Sequence, residues 1–247
     1  MTAEERIVSI IIPAFNESGY LPGAISALRL SADSMKNSER PVLEFIVVND
    51  QSTDETPAIA ERLADLVVNT SKRSGIGFAR NTGANYANGA LLVFVDADTI
   101  VPLTFLSEVW AAYNQGVLIG AVPGSYTATS LGMRILFKWW AWYGPRHQMT
   151  QGVCQFFDRA FFRQLGGYDD SLQMAEDTDI YHRGLDRLGP EKTTRARVIG
   201  SLRVEPSMRR YEACGTFRAW LWTNPLTTKL FRRSNRFWKH WYDNPPR

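Results

Sequence analysis

Residues 91–100 read LLVFVDADTI: the apolar run Leu91–Val95 leads directly into Asp96, Ala97 and Asp98. A short unbroken apolar run with β-branched and aromatic members suits a strand covered on both faces. Two more such runs precede it, IVSIII at 7–12 and LEFIVV at 43–48, and LVVN at 66–69 adds a shorter one. Helical patterns separate them. Leu21, Ile25 and Leu28 recur at helical spacing after Pro13 stops the first strand. Ile59, Leu63 and Leu66 form a second stripe, preceded by Ser52 and Glu55 at capping-box spacing and by Pro57. The Gly-rich SKRSGIGFAR opens a third helix that runs through Tyr86. Strand and helix alternate, which predicts an α/β domain with a doubly wound, mostly parallel sheet and right-handed crossovers. Ligands of such sheets bind beyond the carboxyl ends of the strands. The segments to inspect are therefore PAFNE, NDQSTD, NTSKRSG and DADT.

The second half is less regular. VLIGAVPGSY at 117–126 and ARVIGSLRV at 196–204 read as strands. DRAFFRQLGG at 158–167 reads as a short helix with Asp158 as cap and Gly166 as stop. AEDTDIYHRGLDRLGP at 175–190 reads as a longer helix with Tyr181, Leu185 and Leu188 on one face. The pattern predicts one domain over 1–212, with a nucleotide-binding half at about 1–100 and an acceptor half at about 101–212. An aromatic and basic tail is expected at 213–247.

The chain has 247 residues, more than the roughly 100–200 of a typical domain. Its 45% apolar and 21% charged residues are ordinary for a folded soluble protein, and a net charge of +3 gives no reason to expect nucleic acid. Cys154 and Cys214 lack metal-type spacing, and a reduced compartment is the simpler reading. The start MTAEERIVSIIIPAF carries acids before its apolar run and has no signal-peptide pattern, and no window reaches about 20 uncharged apolar residues. A cytoplasmic protein, peripheral at a membrane through its tail, is expected.

Along a strand, residues i and i+2 point the same way, so Asp96 and Asp98 are expected to face the crevice together. Paired carboxylates suit Mg2+ or Mn2+, which take further ligands from water and substrate phosphates. One of them capping a helix near Pro102 is the alternative. Gly75 and Gly77 before a helix superficially match a dinucleotide fingerprint, but Arg80 occupies its third glycine position and the loop does not follow the first strand. An NAD site is excluded on that ground.

VSIIIPAFNES, FIVVNDQSTDET, GIGFARNTGANYANGALLVFVDADT and FFRQLGGYDDSLQMAEDTDI occur in this order. Together they resemble the motifs of family 2 glycosyltransferases with the GT-A (nucleotide-diphospho-sugar transferase) fold, over roughly residues 7–211, and the non-processive single-domain members are most similar. The resemblance implies a metal-dependent inverting transfer of a sugar from a nucleotide-diphosphate sugar, UDP before GDP. The acceptor would be a hydroxyl, on a glycan or small molecule, or a lipid-carrier phosphate. Carried over to this chain, Pro13, Ala14, Asn16 and Glu17 line the nucleoside pocket, with Glu17 near the ribose. Asp50 accepts from the base N–H, its alternative being a turn residue. Arg73 and Arg80 contact base or phosphate, although Arg80 equally suits pairing with a structural acid. Asp98 binds Mn2+ or Mg2+, and Asp96 contacts the ribose or a metal-bound water. Asp177 is the implied catalytic base with Glu176 as its neighbour, and capping of a helix start is the alternative for this pair. A lipid-phosphate acceptor would need no base.

Gly166-Gly167-Tyr168-Asp169 resembles the family's acceptor-side turn. In SMRRYEACG at 207–215, Ser207 and Tyr211 replace the Gln and Trp of processive synthases, a departure that argues against processivity. Arg209 and Arg210 there are expected to reach the diphosphate, or else to form an exposed pair on a surface strand. His147 and His182 are isolated, and a helix-surface role suits His182. A nucleotidyltransferase and a catalytically silent nucleotide-sugar-binding scaffold on the same fold are the competing readings. Between Lys229 and Arg247 the tail holds six Lys or Arg and one acid, Asp243, among Trp and Phe. That mixture suits an anionic membrane surface, or rings that complete the core or a dimer contact.

Overall fold

The computed structural model describes residues 7–38, 40–73, 75–147, 149, 152–234 and 236–238. The first half forms β1 (Ile7–Ala14), α1 (Leu21–Asp33), β2 (Val42–Asn49), α2 (Thr56–Leu63), β3 (Leu66–Asn69), α3 (Ile76–Tyr86) and β4 (Leu91–Val95). A short β5 (Thr99–Ile100), α4 (Phe105–Asn114), β6 (Ile119–Ala121) and α5 (Leu131–Arg146) follow. Then come β7 (Cys154–Asp158), α6 (Arg159–Gln164), α7 (Glu176–Leu188), α8 (Lys192–Arg195), β8 (Ala196–Val198), β9 (Glu205–Pro206), α9 (Arg209–Thr223) and α10 (Pro225–Phe231).

Among the described residues the main sheet runs β3-β2-β1-β4-β7-β6-β8, and β5 pairs with β9 apart from it. β1 lies between β2 and β4, both parallel to it, with Ile10 opposite Phe45 and Val93. Only β7 runs against its neighbours β4 and β6. The apolar strands alternate between two cores. Ile10, Ile12, Val47 and Val93 face α1 and α4, while Ile11, Val48 and Phe94 face α3, α6 and α7. Burial on both faces explains why these strands read as continuous apolar runs. Gly83 lets α3 lie directly on the sheet, because a Cβ there would be 2.4 Å from Ile11 Cγ2.

Several elements differ from expectation. Ser52 is not a helix cap: its Oγ accepts from Asn16 N at 3.0 Å, and Asp54 Oδ1 accepts from Thr56 N at 2.9 Å instead. β7, CQFFD, goes unread in the sequence because Gln155 and Asp158 interrupt an apolar run that is already short. The expected strand at 117–126 shortens to β6, followed by a single bridge between Gly124 and Val204. The boundary expected after residue 212 falls inside α9. Beyond it the chain folds onto the domain: Gln173 N donates to Arg232 O at 2.6 Å, and Trp238 is fully buried. The remainder of the expected tail, 235 and 239–247, lies outside the described residues. Among the described residues no helix is long and apolar enough to cross a membrane.

Candidate active site

β1, β2, β3 and β4 all point their carboxyl ends at one cavity of about 1690 Å³. Small-ligand sites typically measure roughly 300–1,000 Å³, so the space exceeds what one small ligand needs. Pro13, Ala14, Glu17, Asp50, Arg73 and Arg80 line its sheet side, with Asp96 and Asp98. Glu176, Asp177 and Arg210 face it from the far half.

The loops after β1 and β2 are laced together. Asn16 has a left-handed backbone, φ 56°, and its Oδ1 accepts from Thr53 N at 2.7 Å. Glu17 N donates to Thr56 Oγ1 at 2.7 Å. Asn16 does not line the cavity; it fixes the loop that does. Asp50 is buried, its N–H donates to Ala14 O at 2.8 Å, and its Oδ1 accepts from Thr70 Oγ1 at 2.8 Å. The Arg73 guanidinium stacks 3.8 Å from the Phe15 ring centroid, on the cavity wall.

Asp96 and Asp98 do not extend the strand. β4 stops at Val95, and a turn closed by Thr99 N donating to Asp96 O at 3.1 Å brings both carboxylates into the cavity. Buried arginines hold them. Arg80, 1% exposed, donates at 2.8 Å to Asp96 Oδ1, at 2.8 Å to Glu176 Oε1 and at 2.7 Å to Gly152 O. Burial alone would weaken the hold of Arg80 on its proton, but Asp96, Tyr168 and Glu176 reverse the sign and keep it charged. Arg209 is also buried, and stacks 4.4 Å from the Tyr20 ring centroid. Its Nη2 donates to Glu17 Oε1 and, at 3.2 Å, to Asp98 Oδ2. Arg209 is thus neither a cavity residue nor part of an exposed strand pair; Arg210 is the one at the cavity wall. Burial pushes the Glu17 carboxyl up to about 7 against the pull of Arg209. Burial, then the charge of Asp96, raises Asp98 as well.

Glu176 and Asp177 open α7 after Ala175, whose φ is 62°. Burial raises both carboxyls, and the charge of Asp177 adds to the rise of Glu176. Asp177 Oδ1 accepts from Thr178 N at 2.7 Å. Gly152 packs so tightly on this side chain that a Cβ would be 2.8 Å from Asp177 Oδ2. Behind it, Gln155 Nε2 donates to Asp177 O at 2.9 Å, and Tyr168 Oη donates to Gln155 Oε1 at 2.9 Å. Sequence reasoning missed Gly152 and Gln155, which sit on and beside the unread β7. It noted the Gly166–Asp169 turn, but that turn clamps onto α3, where Asn81 Nδ2 donates to Tyr168 O at 2.8 Å. His182 Nε2 lies 3.1 Å from His147 O on an exposed surface and outside the cavity lining.

Tyr126, Phe137, Trp140, Tyr211 and Trp222 line the same cavity. Tyr126 stacks on Phe137 at 5.3 Å, and Tyr211 meets both edge-on. The aromatic composition of 138–144 was the legible signal, without its location.

No group of three or more His, Cys, Asp or Glu among the described residues is arranged to hold a metal. Asp96 and Asp98 still suit Mg2+ or Mn2+, which commonly take one or two protein carboxylates and complete their shell with substrate phosphates and water. Burial and then the charge of Asp96 raise Asp98, and a cation beside them would favour its ionised form.

The model of glycosyl transferase family 2 matches residues 9–165. The uncharacterized glycosyltransferase RP339 of Rickettsia prowazekii is 38% identical over 199 residues, 72% of this chain and 58% of that protein. The chain spans 17–45% of the length of three other curated glycosyltransferases it matches. Mannosyltransferase PcManGT from Pyrobaculum calidifontis, solved with GDP-Man and Mn2+, superposes with a TM-score of 0.60 at 20% identity, covering 90% of this chain and 67% of that one. S. aureus TarS 1–349 with UDP-GlcNAc gives 0.59 at 18% identity, covering 80% and 57%. The shared architecture is the GT-A fold.

Proposed function

We propose that this chain, which belongs to glycosyl transferase family 2, moves a sugar from a nucleoside-diphosphate sugar to an acceptor nucleophile, with inversion. One observation carries the reading: a single large cavity holds Asp50, Asp96 and Asp98 on its sheet side and the half-buried Asp177 across from them. In this reading Asp50 accepts from the N–H of a uracil, or of a guanine in a GDP donor, and Glu17 meets the ribose. Asp98, with Asp96, would hold the Mg2+ or Mn2+ that neutralises the diphosphate charge. Arg210 faces the same diphosphate.

Asp177 takes the proton of the acceptor hydroxyl as its oxygen attacks the anomeric carbon. The bond from that carbon to the diphosphate oxygen breaks, and the diphosphate leaves with the electron pair on the opposite face. Burial raises the Asp177 carboxyl, which makes it a stronger base than an exposed aspartate. A phosphate acceptor is already ionised, and Asp177 would then orient it.

The test is thermal melting and transfer with UDP- and GDP-sugars, with and without Mn2+, on the wild type and Asp177→Asn. Ligands that bind only the native state raise the melting point. Both proteins are expected to show the same metal-dependent shift, with turnover in the variant down by about 10²–10⁴. No shift with any nucleotide sugar would sink the reading, and undiminished turnover in the variant would remove Asp177 as the base.

A further inference from the structure

Among the described residues, eight of the fourteen exposed large hydrophobic side chains lie on α5, α9 and α10. Leu131, Ile135 and Trp142 mark the open face of α5. Phe217, at 80% the most exposed of all, and Leu221 follow one turn apart on α9. Leu226 and Leu230 repeat that spacing on α10. Contacts between α5 and α9 run in step: Ser130 Oγ lies 3.2 Å from Thr216 Oγ1, and Trp140 Nε1 donates to Thr223 Oγ1 at 3.2 Å. The helices are therefore side by side and parallel, and their open faces flank one seam. The exposed charges on these helices are Arg134, Lys138, Arg146, Arg218 and Lys229 against a lone acid, Glu212.

We propose that α5, α9 and α10 form a docking surface for an anionic lipid bilayer. Apolar side chains interleaved with cations, on helices too short or too polar to span, are what an interfacial contact requires. Arg146 stacking 4.6 Å from the Trp142 ring centroid places a cation beside an interfacial aromatic. Charge selects this occupant over a second copy of the chain. A two-fold contact through this face would set the same cations against each other, whereas anionic headgroups attract every one of them. The same helices supply Phe137, Trp140, Tyr211, Trp222 and Thr228 to the cavity, so a docked protein holds its acceptor half next to the lipid. Resting on the transfer reading, this selects an acceptor carried on a membrane lipid.

The experiment is flotation of the full chain with vesicles of phosphatidylcholine alone and of phosphatidylcholine with phosphatidylglycerol. It reads binding without turnover, so its failure is separable from failure of the transfer reading. Partition is expected only into the anionic vesicles. Arg134→Gln with Lys138→Gln should reduce it by about thirtyfold, since each cation near an anionic surface contributes about fivefold. Phe217→Ser with Leu221→Ser should reduce it as strongly, with donor hydrolysis unchanged because none of these four residues lines the cavity. If the serine pair fails to fold, the glutamine pair alone decides. Equal binding to both vesicle types, no binding to either, or a concentration-dependent dimer that the same variants dissolve would overturn the proposal.

Discussion

Replacing Arg80 with methionine keeps much of the side-chain bulk and deletes the charge between Asp96 and Glu176. Arg80 is 1% exposed in its side chain, Glu176 7% and Asp96 23%. The cost therefore falls mainly on Glu176, left unpaired in the interior and forced to take up a proton or stay charged there as pH rises. Removing one partner of a buried ion pair costs about 3–5 kcal/mol. Asp96 can turn to water and adds no more than a surface pair, about 0–1 kcal/mol. A loss of about 4 kcal/mol lowers the melting point of a chain this long by roughly 8–16 °C. The sign of the pH dependence follows from the raised Glu176 carboxyl. The folded state binds that proton more tightly than the unfolded chain does, so stability falls as pH rises above the unfolded value of 4.5. Without Arg80 the rise is greater, and the deficit should be larger near pH 8 than near pH 5. Urea unfolding of both proteins at those two pH values measures it. A deficit under about 1 kcal/mol near pH 8, the range of an exposed pair, would refute the claim that Arg80 is the counter-charge of the site.

Gly152→Ala places a methyl group 2.8 Å from both Cβ and Oδ2 of Asp177, so that side chain must shift. Turnover should fall by about 10²-fold with donor affinity nearly unchanged, as for an ångström-scale displacement of a reacting group, and steady-state kinetics separates the two. Glu17→Gln removes a carboxyl held up at about 7 in the folded chain against 4.5 when unfolded. The wild type should therefore lose stability relative to this variant as pH rises through that window, and urea midpoints from about pH 5 to about pH 8 would show a flat difference if the burial argument is wrong.

The strands that reach the cavity were legible because each is buried on both faces and so carries an unbroken apolar run. β7 was not, since its short apolar run holds the polar Gln155 and its partners β4 and β6 are distant in sequence. The acids at the strand ends were legible as residue types in the right places. Their support was not: Gly152, Gln155 and Tyr168 act through backbone contact and burial, which leave no periodic trace. Arg209 and Arg210 are adjacent in sequence yet differ in role, because the first turn of a helix sends one inward to Glu17 and the other to the cavity wall. The C-terminal helices carried a composition, aromatic and basic, but no sign that Trp222 would enter the cavity while Phe217 stayed outside.

A D-x-D sequence is weak as a motif because nothing in three residues forces two like charges to remain together. Here the force comes from outside. Arg80 on α3 ties Asp96 to Glu176 on α7, and Arg209 on α9 ties Asp98 to Glu17 after β1. Each arginine thus joins one acid of the pair to a separate part of the cavity wall. Each is also incompletely satisfied, with its Nε buried and without a hydrogen-bond partner. Such an atom costs free energy, and it persists here where Nη1 and Nη2 of Arg80, and Nη2 of Arg209, are committed to the acids. The two ties make different demands on a ligand. Asp96 shares Arg80 with Glu176, the neighbour of Asp177, so a change in charge at Asp96 is felt at the proposed base. Asp98 shares Arg209 with Glu17, so a cation held at Asp98 would compete with Arg209 for that carboxylate. Asp96 is therefore coupled to Glu176 through Arg80 and Asp98 to Glu17 through Arg209, and neither route passes through the peptide chain between the two aspartates.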